Sequence, residues 1–182
     1  MDKLLVLVNG LPGSGKSTLG RSLAAALSAQ FLSKDAVKEA LAACVDDPVA
    51  IPALGGIAMD TVWVLARSTP TAVVIDSWWF KPRDLQYAVA GIEKTGADRA
   101  VEVWCDVPAE VANARYASRR RAELYQDRQH LANDWDAWVE QAAPLGLTPT
   151  VVVDTTRPVD CVELAQQIQL AARGFSCLSD ER

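Results

Sequence analysis

One segment fixes the architecture of this 182-residue chain: Gly10-Leu11-Pro12-Gly13-Ser14-Gly15-Lys16-Ser17-Thr18. It contains every required residue of the pattern G-x-x-x-x-G-K-[ST]. Glycines at these positions let the backbone wrap so that successive N–H groups face phosphate oxygens. The helix that follows adds the positive end of its dipole to the same place. The segment therefore predicts a phosphate-binding loop between a buried strand and a helix.

The residue types within this loop predict separate roles. Lys16 is expected to reach the β- and γ-phosphates during catalysis, and the Ser17 hydroxyl is expected to hold Mg²⁺. The alternative is a glycine-rich turn without a ligand, which the flanking strand and helix disfavour. The order of the glycines also differs from the dinucleotide pattern G-x-G-x-x-G, which argues against a dehydrogenase. The predicted nucleotide contacts in the loop are Gly10, Pro12, Gly13, Ser14, Gly15, Lys16, Ser17 and Thr18.

Outward from the loop, short apolar runs alternate with segments of helical periodicity. This alternation predicts an α/β chain, a three-layer P-loop NTPase fold with a parallel sheet and helices on both faces. We expect one domain over residues 1–174, with a small arginine-bearing lid at about 115–134 and a polar tail at 175–182. The predicted strands are Leu4 to Val8, Phe31-Leu32, Val73 to Ile75, Ala100 to Cys105 and Val151 to Val153.

Composition restricts the class of partner. The formal net charge of −5 argues against a nucleic-acid ligand, because such proteins usually carry a basic balance. No apolar run is long enough to cross a bilayer, and the first residues lead into a strand without a signal-peptide pattern. The four cysteines form no C-x-x-C pair, which favours isolated buried thiols over a metal site. We expect a cytoplasmic monomer or small homo-oligomer without membrane or nucleic-acid partners.

Two aspartates follow predicted strands and are candidates for the chemistry. Asp76 closes the apolar run Val73 to Ile75, where a P-loop protein holds its magnesium shell. The alternative is an ordinary strand-ending residue. Asp35 follows the second strand and therefore lies at the same carboxyl edge of a parallel sheet. It could accept the proton of an attacking hydroxyl, or it could merely cap the following helix.

An arginine-rich helix is the third element of the predicted chemistry. Arg115 and Arg119 are four residues apart and hence share a helix face. An arginine there could stabilise the charge on a phosphoryl group in transfer. The alternative, a solvated basic surface, suits Arg120 and Arg121 better. The polar stretch from Ala122 to Asn133 has the composition of a lid that excludes water.

The acceptor is expected over the same edge of the sheet, near Asp35, Asp60, Trp78, Trp79 and Arg83. Successive aromatic residues offer a flat apolar surface for a small molecule, or they pack a loop against the core. The carboxylates of Asp35, Asp60 and Asp76 predict an acidic pocket and a neutral or amine-bearing hydroxyl compound. A cation at Arg83 or Lys81 could instead pair with an anionic acceptor.

With these features placed, the sequence resembles the small P-loop kinases of the zeta-toxin and chloramphenicol phosphotransferase group. The resemblance extends from Leu4 to about Ala172. It depends on the loop, Asp35, Asp76, the arginine helix after Cys105-Asp106-Val107-Pro108, and Val153-Asp154-Thr155-Thr156-Arg157-Pro158.

The resemblance implies an ATP- and Mg²⁺-dependent phosphotransferase that acts on a hydroxyl group. It implies Asp35 as the base and Arg115 or Arg119 in the lid. The segment with Thr155 and Arg157 looks like the loop that closes over adenine in such kinases, although it also reads as a strand end and helix start. The chain length fits the antibiotic kinase better than the longer zeta toxins. With the predicted acidic pocket, this makes an antibiotic or amino sugar the expected acceptor.

Three other interpretations stay open. A regulatory GTPase would carry an N-K-x-D tetrapeptide, which the sequence lacks. A non-catalytic nucleotide-binding module would not need Asp35 or the arginine helix. A kinase for a nucleoside, sugar or sugar acid differs in substrate alone, and the sequence separates it poorly from the antibiotic kinase.

Overall fold

The computed structural model describes residues 2–119 and 127–174. Its sheet has five parallel strands in the order β2-β3-β1-β4-β5. The strands are β1 (Leu4–Asn9), β2 (Gln30–Ser33), β3 (Val73–Asp76), β4 (Arg99–Asp106) and β5 (Thr150–Asp154). The predicted strands and the parallel sheet are confirmed. The predicted polar tail and the lid segment 120–126, with Arg120 and Arg121, lie outside the described residues.

The helices connect these strands and begin or end at recognisable caps. Ser33 accepts a hydrogen bond from the backbone N–H of Ala36 and caps α2, and Asp160 does the same for the first turn of α8. The described helices are α1 (Lys16–Ala26), α2 (Lys34–Ala42), α3 (Leu54–Ser68), α4 (Lys81–Thr95), α5 (Ala109–Ala117), α6 (Asp127–Asn133), α7 (Trp135–Gln141) and α8 (Cys161–Arg173).

The central strand β1 shows why the fold has three layers. All of its residues are buried, as expected when helices cover both faces of a parallel sheet. Leu4, Val6 and Val8 face a core cluster shared with α1 and α8, whereas Leu5 and Leu7 face one shared with α3 and α4. Both faces of β1 are therefore covered by helices, as the fold class predicts.

A third apolar cluster lies beyond the carboxyl ends of the strands. It joins Leu11 of the loop after β1 to Ala112 and Tyr116 of α5 and to Trp135 and Trp138 of α7. This packing holds α5 and α7 above the edge where the predicted site residues lie. None of the described helices combines the length and apolarity that a membrane crossing requires.

The cysteines match their prediction in part. Cys105 is buried, and this burial raises the pKa of its thiol to about 12. Cys44 is exposed just beyond the end of α2, so the expectation of a buried thiol is wrong at this position. Cys177 lies outside the described residues.

Candidate functional site

The loop after β1 adopts a conformation that needs its glycines. Gly10, Gly13 and Gly15 have positive φ angles of 140°, 91° and 87°. A Cβ atom on Gly13 would lie 2.0 Å from the carbonyl oxygen of Ala112, because α5 packs directly onto the loop. Both the backbone conformation and this close approach exclude larger residues.

Lys16 is folded back into the loop. Its Nζ donates hydrogen bonds to the carbonyl oxygens of Gly10 and Leu11, each at 2.8 Å, and the side chain is buried. Burial lowers the pKa of Lys16 to about 8, and the nearby carboxylate of Asp76 partly offsets the shift. A cation with this little solvation gains a large electrostatic stabilisation from an anionic ligand.

The Ser14 hydroxyl adds a second feature that fits a phosphate. Its Oγ is fully buried and has no hydrogen-bond partner. Buried hydroxyl groups normally have partners, and a phosphate oxygen in the loop would supply one.

Asp76 lies at the end of β3, beside Val8 of β1. Burial raises its pKa, while the charge of Lys16 and hydrogen bonds from Ser17 and Ser33 act in the opposite direction. A carboxylate next to a serine hydroxyl suits Mg²⁺, which typically takes one or two protein ligands and completes its shell with phosphate and water. No cluster of three or more acidic, histidine or cysteine ligands occurs among the described residues.

Asp35 opens onto a cavity of about 160 Å³, called here the Asp35 cavity. Ser33 caps α2, so the alternative in which Asp35 is the cap is wrong, and Asp35 lies in the first turn instead. The described residues that line the cavity are Pro12, Lys16, Ser17, Lys34, Asp35, Lys38, Asp76, Ser77, Trp78, Arg83, Tyr116, Arg119, His130 and Trp138.

Two of the predicted acceptor residues do not line this cavity. Trp79 is 3% exposed and stacks on Trp63 in the core, with ring centroids 6.2 Å apart. Asp60 is exposed on α3 and lies outside the cavity, because the buried face of that helix is formed by its apolar residues. Trp78 and Arg83 do line it, so the adjacent tryptophans divide between the pocket and the core.

The described lining is also more basic than predicted. It contains five lysine or arginine side chains (Lys16, Lys34, Lys38, Arg83 and Arg119) and two carboxylates (Asp35 and Asp76). The expectation of an acidic pocket is therefore wrong for these residues. Sequence reasoning missed Lys34 and Lys38, although both neighbour Asp35 and their four-residue spacing places them on one face of α2. It also missed His130, the one histidine of the chain.

A second cavity, the Thr155 cavity, is lined by a different set of loop residues and holds about 490 Å³. The Thr155 hydroxyl donates to the carbonyl oxygen of Ser14 at 2.7 Å, and Arg115 Nη1 donates to the carbonyl oxygen of Thr155 at 3.2 Å. These bonds tie the segment after β5 to the loop and to α5. The described lining includes Gly13, Gly15, Thr18, Arg115, Arg119, Thr155 and Arg157.

Arg119 lines both cavities. Residues of the phosphate-binding loop therefore line two cavities, a larger one and a smaller one that contains carboxylates. One arginine lies beside both.

A family model described as "AAA domain" matches residues 5–145, more than half of the chain. Among curated proteins, none matches the sequence.

Solved structures share the fold. A candidate kinase from Chloroflexus aurantiacus superposes with a TM-score of 0.72 at 22% identity, covering 94% of this chain and 99% of that one. Shikimate kinase from Acinetobacter baumannii, in complex with shikimate, gives 0.54 at 18% identity, with 91% and 90% covered. Kti12 from Chaetomium thermophilum, in complex with ADP-AlF3, gives 0.60 at 17% identity, with 92% and 98% covered. At these identities the likeness establishes the fold alone.

Proposed function

The chain belongs to the AAA domain family, and from that premise we propose that it is an ATP-dependent phosphotransferase acting on the hydroxyl group of a small molecule. The observation that carries the proposal is that residues of the loop line both cavities, with Asp35 in one of them. A nucleotide-binding module without chemistry would need the Thr155 cavity but not the Asp35 cavity. The fold is shared both with kinases and with Kti12.

The nucleotide is proposed to occupy the Thr155 cavity and the loop. The buried hydroxyl of Ser14 and the buried ammonium group of Lys16 would both gain partners from phosphate oxygens. Thr155 and Arg157, which line the cavity, are proposed to contact the rest of the nucleotide. Ser17 and Asp76 would hold Mg²⁺, which would neutralise charge on the phosphates when bound.

Asp35 is proposed to accept the proton of the attacking hydroxyl. The carboxylate lies in the same cavity as Lys16, and its charge acts on both Lys16 and Asp76. It is thus close to the place where the γ-phosphate would enter. Arg119, beside both cavities, is proposed to stabilise negative charge on the phosphoryl group as it passes from one to the other.

The size of the Asp35 cavity restricts the acceptor. Its volume of about 160 Å³ is below the roughly 300–1,000 Å³ of sites that hold drug-sized ligands. A compact acceptor fits better than a bulky one. Among the more specific candidates for the acceptor, a small antibiotic follows from the resemblance of the sequence. A sugar acid or similar anion is favoured instead by the basic lining of this cavity.

A transfer screen tests the proposed function. The purified chain is incubated with Mg²⁺, γ-labelled ATP and a broad panel of hydroxyl compounds, and labelled products are counted. We expect at least one acceptor to be labelled, and Lys16→Ala to remove the product while the variant keeps a native circular dichroism spectrum. Tight ATP binding without transfer to any acceptor would instead identify a nucleotide-binding module.

A further inference from the structure

We propose that the acceptor carries an anionic group, a carboxylate or a phosphate, and that Arg83 binds this group together with Lys34 and Lys38 in the Asp35 cavity. This inference rests on the proposed function of the same site and names the class of its substrate.

The proposed transfer accounts for only some of the charges in the cavity. Lys16 and Arg119 are assigned to the phosphates of ATP, and Asp76 is assigned to the metal. Three further cations, Lys34, Lys38 and Arg83, have no role in transfer, yet they line the same small cavity. Cations that converge on one concave site attract an anionic ligand more strongly than they would on open surface, because the surrounding protein has a lower dielectric than water.

Arg83 forms a two-point pair with the neighbouring carboxylate, and 57% of its side chain is exposed. Its Nε and Nη2 donate to the two carboxylate oxygens of Asp84, both at 2.7 Å. Asp84 is itself anchored, since it accepts a hydrogen bond from the backbone N–H of Phe80 at 2.8 Å. Hydrogen bonding to Asp84 raises the pKa of Arg83, so the guanidinium group keeps its charge. The Nη1 donors stay outside this pair, and an oriented guanidinium edge suits a carboxylate or phosphate.

Helix stability does not explain these cations. Lys34 is the first residue of α2, and Arg83 lies in the first turn of α4. The positive end of a helix dipole favours acidic residues in the first turn and disfavours basic ones. Lys38 follows Lys34 by four residues and therefore extends the same basic face.

Lys81 provides a matched comparison for Arg83. Both are basic residues in the first turn of α4, but Lys81 is not among the described residues that line the Asp35 cavity. Its Nζ lies 3.5 Å from the position that a Cβ atom on Gly146 would occupy, on the segment that leads to β5. Of these two residues, Arg83 alone lines the cavity that contains Asp35.

The test compares paired acceptors, one of which carries an anionic group that the other lacks. Carboxylates are paired with their primary amides, for example D-gluconate with D-gluconamide. Sugar phosphates are paired with free sugars, for example glucose 6-phosphate with glucose. Glucosamine represents amine-bearing compounds. The full chain, Arg83→Gln and Lys81→Gln are assayed for transfer from ATP. The carboxylate and phosphate arms separate the two sources of negative charge.

We expect the anionic member of at least one pair to have the higher kcat/KM. Arg83→Gln is expected to raise the KM for that acceptor by about tenfold, the loss of a charged hydrogen bond. The KM for ATP should stay unchanged, and Lys81→Gln should change neither constant. Preference for the neutral or amine-bearing compounds, or an equal loss in Arg83→Gln for both members of a pair, would overturn the proposal.

A binding measurement separates this inference from the proposed function. The melting temperature of each protein is recorded with a non-hydrolysable ATP analogue and each compound of the panel. One outcome is that no compound is phosphorylated, but an anionic member raises the melting temperature of the natural chain and not of Arg83→Gln. This result would support the proposed anion site and show that the proposed transfer activity is wrong. If the analogue binds and no anionic member changes the melting temperature or is phosphorylated, the anion site is wrong.

Discussion

Asn9 donates a hydrogen bond of 2.9 Å from its Nδ2 to Glu102, a carboxylate that is completely buried in β4. Glu102 also accepts hydrogen bonds from the backbone N–H groups of Leu145 at 3.0 Å and Gly146 at 3.3 Å. Three donors thus converge on one buried side chain. The bonds join the residue before the phosphate-binding loop to the segment that precedes β5.

Replacing Glu102 should therefore destabilise the fold. In Glu102→Gln an N–H₂ group takes the place of an acceptor oxygen, so one of the three donors loses its partner. We expect the free energy of unfolding to fall by about 1–3 kcal/mol, the cost of an unsatisfied buried polar group. Urea denaturation measures the change. Glu93→Gln, at an exposed position of α4, is the control and should have little effect. Equal stability of the two variants would show that the network contributes nothing.

Alanine substitutions at two glycines should have opposite effects on the stability of the chain. Gly13→Ala should destabilise the chain and abolish ATP binding, because the new methyl group would collide with the carbonyl oxygen of Ala112. Gly56→Ala should stabilise it by up to about 1 kcal/mol, since Gly56 is in helix α3 with open space around its Cβ position. Thermal unfolding and ATP titration report both effects. A Gly13→Ala variant that still bound ATP would contradict the observed loop packing.

The pKa of Lys16 predicts a pH-dependent difference in stability. Below pH 8 the lysine is charged in both the folded and the unfolded chain, and its burial destabilises the fold. Between about pH 8 and the ordinary value of 10.5 the folded chain releases its proton first, so stability rises with pH. Lys16→Met lacks this titration. Its advantage in unfolding free energy over the natural chain should be largest below pH 8 and should shrink as the pH approaches 10.5.

Parallel urea titrations of both proteins across this range give the comparison. Titrating groups that do not interact with Lys16 contribute equally to both proteins, so their contributions cancel in the difference. A constant difference between pH 7 and 10.5 would mean that the pKa of Lys16 is not lowered. Measurements with saturating ATP should remove the advantage of Lys16→Met at pH 7, since the phosphates stabilise the charged lysine.

The sequence predicted the sheet and the loop because both depend on local patterns. Apolar runs such as Leu4 to Val8 identify buried strands, and the glycine spacing identifies a phosphate-binding turn. The division of Trp78 and Trp79 between pocket and core could not be predicted, since it depends on Trp63 in a different helix.

The burial of Glu102 could not be predicted from the sequence either. Its partners are the backbone N–H groups of Leu145 and Gly146, which are more than forty residues away along the chain. The charge of the acceptor cavity was mispredicted for a related reason. Only the fold shows that Lys34 and Arg83 meet there while Asp60 does not.

Asp35 and Asp60, the two aspartates predicted to lie near the acceptor, form a matched pair of sites for testing the general base. Asp35→Asn should lower kcat by on the order of a hundredfold or more and leave ATP affinity unchanged, because a base contacts the acceptor and not the nucleotide. Asp60→Asn, on the exposed face of α3, should behave like the natural chain. Steady-state transfer assays and ATP titration measure these effects. A loss of ATP affinity in Asp35→Asn with kcat preserved would assign Asp35 to the nucleotide site instead.

The arginines of the α5 region should have separable effects on the kinetic constants. Arg119 lines both cavities. Arg119→Ala is expected to lower kcat by on the order of a hundredfold, because it removes a group that stabilises charge in the transition state. The KM for ATP should change little.

Arg115 instead donates a hydrogen bond to the carbonyl oxygen of Thr155, whose hydroxyl donates to the carbonyl oxygen of Ser14 in the loop. Arg115→Ala should therefore raise the KM for ATP more than it lowers kcat. Arg173→Ala, at the exposed end of α8, is the control. If Arg119→Ala retained the full kcat, charge stabilisation by this residue would be ruled out, and its place between the cavities would have to serve binding alone.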